Sequence, residues 1–222
     1  MRSCVRSGVL VAMTAFAALA STATLAQDQP AAPAGGGGNA ERGKAISYTC
    51  LGCHGVPGYK NAYPNYSVPK LEGQHPEYIV IALQAYRSGE RSHFTMHSQA
   101  SELSDQDMQD IATYFSGTPL KTGNAPVGAT PKAATLCVTC HGKDGVGIVP
   151  IYPSLSGQHE DYLERALHDY KKGGRRNPVM AGMAATIADA DVRVLAKYYS
   201  QQQPALQTES RPSTILTAGG SR

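Results

Sequence analysis

The sequence predicts an all-α protein in which one small helical unit is written twice. Three observations carry this. Two segments of about eighty residues match each other along a single chain of 222 residues. Within each, apolar residues recur at helical spacing, and no run sustains the alternation of a strand. Each unit is also too short to bury a large apolar core, so it needs a staple such as a disulfide, a metal or a cofactor.

The chain opens with Arg2 and Arg6, then the apolar run Val9–Ala20, then small residues up to Ala26. This is the layout of a cleavable export signal over residues 1–26. The alternative is a retained anchor holding the protein at a membrane surface, because residues 8–26 carry no charge. The strictly apolar part is short against the roughly 20 residues that a span requires. Residues 27–38, rich in Gln, Pro, Ala and Gly, are expected to be a flexible linker. The first domain is expected over 39–118, a linker over 119–127, the second domain over 128–203, and a disordered tail over 204–222.

The repeat is exact in spacing over most of its length. Cys50, Cys53 and His54 lie 87 positions before Cys137, Cys140 and His141. Gly73-Gln74-His75 lies 84 before Gly157-Gln158-His159, and Met96, Asp105, Asp107 and Tyr114 lie 84 before Met180, Asp189, Asp191 and Tyr198. The first copy therefore carries three extra residues in the loop after His54.

Each copy reads as a short helix running into the cysteine pair, then two longer ones. The helix after Gly-Gln-His buries Tyr78, Ile79, Ala82, Leu83 and Tyr86, matched by Tyr162, Leu163, Ala166, Leu167 and Tyr170, with Gly89 and Gly173 as stops. The last helix begins near Ser104 or Asp189. Ser104 and Asp107 are spaced as a capping box, and Met108, Ile111, Ala112 and Phe115 match Val192, Leu195, Ala196 and Tyr199.

The cysteines supply the chemistry. Cleavage after Ala26 would remove Cys4 and leave four, all in Cys-x-x-Cys-His. Residues i and i+3 share one face of a helical turn, so both sulfurs can form thioethers to one edge of a porphyrin while the next residue, histidine, reaches its iron. Zinc would need a fourth ligand, which neither motif offers at suitable spacing. A thioredoxin-like pair needs a βαβ setting, which is absent. The expected cofactors are thus two covalently bound haem c groups, held through Cys50, Cys53, Cys137 and Cys140, with His54 and His141 as axial iron ligands.

Met96 and Met180 occupy the same place in both copies, eight residues before Ser104 and Ala188, and are the expected sixth ligands. Met108 falls on an apolar stripe, and Met183 has Gln99 as its counterpart. At the first site His93 and His97 are rivals, but the second copy has no histidine near Met180. Pro64 and Pro150, ten and nine residues after the axial histidines, are expected to offer carbonyls to the histidine Nδ1–H. His75 and His159 read as local contacts between loop and helix.

A net charge of +3 is too weak to indicate nucleic acid, and no phosphate-cradling glycine loop is present. The first copy has six basic and eight acidic residues, the second nine and seven. Lys171, Lys172, Arg175 and Arg176 form a candidate patch for an acidic partner or for haem carboxylates.

Cys-x-x-Cys-His followed by Pro150-x-Tyr152-Pro153-Ser154-Leu155-Ser156-Gly157-Gln158, and a methionine eight residues before the last helix, resembles the cytochrome c4 family. Leu103-Ser104-Asp105-Gln106-Asp107 fits as well. The resemblance covers roughly residues 39–203. It implies two class I cytochrome c domains related by a pseudo-twofold axis, with haem propionates meeting near the interface, in a periplasmic dihaem carrier rather than an enzyme. It further implies redox protein partners in a respiratory chain: a terminal oxidase as acceptor and a quinol-oxidising complex as donor. The alternatives are an electron-transfer subunit of a dehydrogenase or flavoprotein complex, and a dihaem enzyme such as a peroxidase. Two departures stand out, the longer first loop with Tyr59, Tyr63 and Tyr66, and the tail after Pro204.

Overall fold

Nine α-helices and one 3₁₀ turn make up the regular structure of the described residues, 37–209, in a computed structural model. The expected signal, most of the first linker and the end of the tail lie outside those residues. The first half contains α1 (Ala40–Ile46), α2 (Leu51–His54), α3 (Pro76–Arg87), α4 (Phe94–Ser101) and α5 (Asp105–Ser116). The second contains a 3₁₀ turn (Lys132–Ala134), α6 (Val138–His141), α7 (Glu160–Lys172), α8 (Pro178–Ala185) and α9 (Asp189–Ser200). No strand forms among the described residues, which hold only isolated antiparallel bridges. The all-α tandem repeat is thus the architecture observed.

Local chemistry accounts for the helix ends. Ser104 and Asp107 close the expected capping box on α5. Its counterpart α9 starts without one, because Ala188 stands at the cap. Gly173 ends α7 in the left-handed conformation, φ 79°, which a side chain would disfavour. The first helix differs between copies for a clear reason. Asn39 caps α1, but the matching stretch contains Gly128 and Pro131, and Pro131 falls where Lys44 lies inside α1. A proline there lacks the required N–H and clashes with the preceding turn, so only one 3₁₀ turn remains.

α1 crosses α5 so closely that a Cβ on Gly43 would lie 2.0 Å from the Asp110 carbonyl oxygen. Beside that crossing, buried Asp110 accepts from the Asn39 N–H at 2.7 Å and pairs with Arg42. The first core gathers Leu51, Ile79, Leu83, Ala100, Met108, Ile111 and Phe115, with Cys50 and Met96 against it. The second gathers Leu163, Ala196, Tyr198 and Tyr199, with Cys137 against it.

The halves pack as one unit, and the repeated Gly-Gln-His stretch is the reason. Gln74 Nε2 donates to the Ser154 carbonyl at 2.9 Å, and its Oε1 accepts from the Ser154 N–H at 2.9 Å. Gln158 makes the mirror pair with Lys70, both bonds at 3.0 Å. Ser92 and Arg176 donate main-chain N–H groups to Gly174 and Glu90, each at 2.7 Å. Both sets exchange under the same shift of 84 residues, which is the signature of a pseudo-twofold relation. His75 takes part as well: its Nε2 lies 3.1 Å from the Gly147 carbonyl of the other half, so its contact is not the local one expected. The tyrosine-rich first loop also crosses over. Lys60 and Ser67 both bond Asp161, and Tyr66 lies beneath Arg165.

The expectation of a disordered tail from residue 204 fails for residues 204–209. Leu206 is fully buried, its N–H bonds the Ser156 carbonyl, and Glu72 and Gln207 form a two-way bridge into the first half. Polar composition hid this because one apolar residue, Leu206, anchors the segment. Leu206→Ala is expected to destabilise the protein by about 2–4 kcal/mol, read in a denaturant titration of the holoprotein.

Candidate haem sites

In α2 the helical turn begins at Cys50, so Cys50 and Cys53 fall on one face and His54 follows; α6 repeats this with Cys137, Cys140 and His141. All four thiols are half-buried and unpaired. Burial pushes the Cys50 and Cys137 thiols up. Two cysteines spaced in this way yet unbridged, on a half-exposed turn, fit thioether attachment.

Each histidine is oriented by one hydrogen bond. His54 Nδ1 lies 2.9 Å from the Pro69 carbonyl and His141 Nδ1 lies 2.9 Å from the Pro153 carbonyl. A carbonyl can only accept, so Nδ1 carries the proton and Nε2 keeps its lone pair for a metal. Burial lowers the pKa of both imidazoles, against the opposing pull of these carbonyls, and favours the neutral, ligating form.

Pro64 and Pro150, expected in this role, do not fill it. The residues that do, Pro69 and Pro153, lie 84 apart, the shift of the adjoining Gly-Gln-His stretch, whereas Pro64 and Pro150 lie 86 apart. The loop must travel beyond the first proline before it returns under the imidazole. Holding to the shift of 84 would have found the right pair.

Met96 and Met180 each occupy the third position of a short helix, α4 or α8. The Met96 N–H bonds His93 Nδ1 at 3.2 Å, and the Met180 N–H bonds Asn177 Oδ1 at 3.0 Å. Both side chains are half-buried. The rival histidines at the first site are otherwise engaged. The Nδ1 of His93 caps α4 and its Nε2 lies 3.2 Å from Asn61 Oδ1, while His97 Nδ1 lies 2.8 Å from the Tyr86 carbonyl. Met108 is fully buried, as its stripe position predicts, and Met183 is 40% exposed.

Two arginines were missed as a pair. Arg91 and Arg175 sit at the interface, 7% and 6% exposed. Arg91 donates to the Tyr78 hydroxyl at 2.9 Å and lies over the rings of Tyr78 and Tyr86; Arg175 does the same with Tyr162, at 3.2 Å, and with Tyr170. Among the described residues Arg91 pairs with no carboxylate, while Arg175 has Asp169 at 3.8 Å. A guanidinium remains charged, and a buried charge without a counter-ion costs several kcal/mol. The arrangement fits a cofactor that brings its own carboxylates, as haem does. The shift of 84 between these arginines was the available signal. Of the basic cluster expected around Arg175, Lys171 bonds the Ile187 carbonyl and Asp189, Arg176 reaches the Gly89 carbonyl, and Lys172 is exposed.

Among the described residues no three His, Cys, Asp or Glu side chains converge as a metal cluster. No described helix is long and apolar enough to cross a membrane.

Two small helical domains, each with an unbridged Cys-x-x-Cys-His turn and an oriented histidine, define a c-type cytochrome with two haem sites. The cytochrome c family profile matches residues 40–118 and 128–203. Cytochrome c4 of Pseudomonas aeruginosa is 32% identical over 178 residues, spanning 72% of this chain and 87% of the relative. The crystal structure of reduced recombinant cytochrome c4 from Pseudomonas stutzeri superposes with a TM-score of 0.60 at 32% identity, over 74% of this chain and 99% of that one. A thiosulfate dehydrogenase electron acceptor of Thiomonas intermedia is 28% identical, over 69% of this chain and 78% of its own length. The chain belongs to the cytochrome c4 family of dihaem c-type cytochromes, and its cofactors are two covalently bound haem c groups.

Proposed function

We propose that this protein is a periplasmic carrier that passes single electrons between redox proteins of a respiratory chain. The observation that carries the reading is the equivalence of His54 with His141 and of Met96 with Met180, because these residues would give each haem the same pair of ligands and leave no site for a substrate in either half. When bound, each haem iron supplies one-electron chemistry between its ferric and ferrous states. Cys50 and Cys53, and Cys137 and Cys140, hold the two groups covalently. Pro69 and Pro153 fix the histidine tautomer, leaving Nε2 for iron. Met96 and Met180 would each offer a thioether to the iron and so keep out substrates such as peroxide. Arg91 and Arg175 offset the haem carboxylates at the interface, and the two cores exclude water.

Export is inferred from residues 1–26. A terminal oxidase as acceptor and a quinol-oxidising complex as donor suit such a carrier. A second reading draws on the relative named as a thiosulfate dehydrogenase electron acceptor: the donor would then be a sulfur-oxidising dehydrogenase.

Expression in a haem-loading host with an intact export route tests the proposal. The exported protein is expected to have the mass of residues 27–222 plus two haems, a near-infrared band of methionine-ligated ferric iron, and negligible turnover of peroxide. A mass with fewer than two haems, or sustained peroxidase activity, overturns it. Stopped-flow reduction by a quinol-oxidising complex and by a thiosulfate-oxidising enzyme separates the two donors.

A further inference from the structure

Among the described residues three buried hydroxyls find no protein partner: Ser47 in the first half, and Ser156 and Tyr199 in the second. Tyr199 is 3% exposed and sits on α9 in the second core, against which Cys137 packs. Its neighbour Tyr198 differs, with its hydroxyl donating to the Lys143 carbonyl at 2.6 Å and lying 3.1 Å from the Thr130 hydroxyl. The position equivalent to Tyr199 is Phe115, 1% exposed, whose ring meets the His54 imidazole edge-on at 6.4 Å. Phenylalanine needs no partner there. A buried hydroxyl without a partner lowers stability, so the partner of Tyr199 is expected to come from the group that Cys137, packed against the same core, would carry. Burial, with Cys137 and Tyr198 close by, pushes the Tyr199 pKa up, so its proton stays available for donation.

We propose that Tyr199 tunes the second haem, donating a hydrogen bond to the group carried by Cys137 that Phe115 cannot supply in the first half. The inference rests on the two-haem reading above. An O–H donor aimed at the haem or its thioether sulfur favours the more electron-rich, reduced state. It therefore raises the potential of the second centre relative to the first.

The test is a spectroelectrochemical titration of the haem-loaded full-length protein and its Tyr199→Phe variant. One of the two reduction steps is expected to move to lower potential in the variant while the other stays in place. Tyr199→Leu is expected to move the same step in the same direction. If Tyr199→Phe leaves both steps in place, or moves both equally, the proposal is overturned. The same holds if only Tyr199→Leu shifts a step, because the ring rather than the hydroxyl would then be responsible. A merely structural tyrosine would show itself as a higher melting temperature in Tyr199→Phe with unmoved potentials. Two haems with unmoved steps would sink this proposal alone; fewer than two haems in the unmutated protein would sink the reading beneath it.

Discussion

Replacing Met180 with alanine in the haem-loaded protein is expected to abolish half of the near-infrared methionine–iron band. It should also lower one of the two potentials by a sizeable fraction of the about 0.8 V over which axial ligands set haem potentials. Met96→Ala should do the same at the other centre. The two losses should be independent, because each methionine belongs to a separate helix, α8 or α4. The argument has two parts. Met180 and Met96 share a helix position, a main-chain capping bond and partial burial, although the capping residue differs, Asn177 against His93. That difference matters because His93 spends its Nδ1 on the cap and faces Asn61 with its Nε2, so it is poorly placed to replace a lost methionine. Each variant should also gain peroxidase activity, since an open iron position admits small oxidants. A spectrum unchanged by either substitution would remove that methionine from the iron.

The second large effect is expected at the interface. Gln74→Ala combined with Gln158→Ala should cost about 2–6 kcal/mol and convert a single cooperative thermal transition into two. Each glutamine amide is almost fully buried and both donates to and accepts from the main chain of the opposite half. Each Oε1 also accepts from the next residue, the N–H of His75 or of His159. Alanine leaves these main-chain groups without their amide partner; water can reach the part-buried ones, so the loss is about 1–3 kcal/mol per glutamine. Because the two sites are related by the pseudo-twofold axis, either single variant should cost about half as much. Calorimetry of the holoprotein decides this, and a double variant that still melts in one unshifted transition would show that the arginine and C-terminal contacts hold the halves together.

Much of the site was legible in advance for a local reason. Cys50, Cys53 and His54 sit within five residues, and a helical turn alone puts both sulfurs on one face. The repeat itself also singles out Met96 and Met180 as candidate sixth ligands, because they hold equivalent positions in the two copies. Helix α5 was readable down to its capping box, since Ser104 and Asp107 bond across three residues. Helix α1 was legible in the first copy, but its counterpart broke at Pro131.

The sequence by itself thus determined the helices, the repeat and the points of haem attachment, all properties of residues a few positions apart or of identical spacing. Tertiary structure alone decided which carbonyls orient His54 and His141, because a loop of twelve or fifteen residues can bring back any of several prolines. It also turned Gln74 and Gln158 outward to the opposite half, buried Arg91 and Arg175 among tyrosines, and laid Leu206 across both halves. The glutamine contacts and those of the Leu206 segment join residues 50 to 135 positions apart. No local spacing encodes them, since they exist only once two separately formed surfaces meet and exclude water.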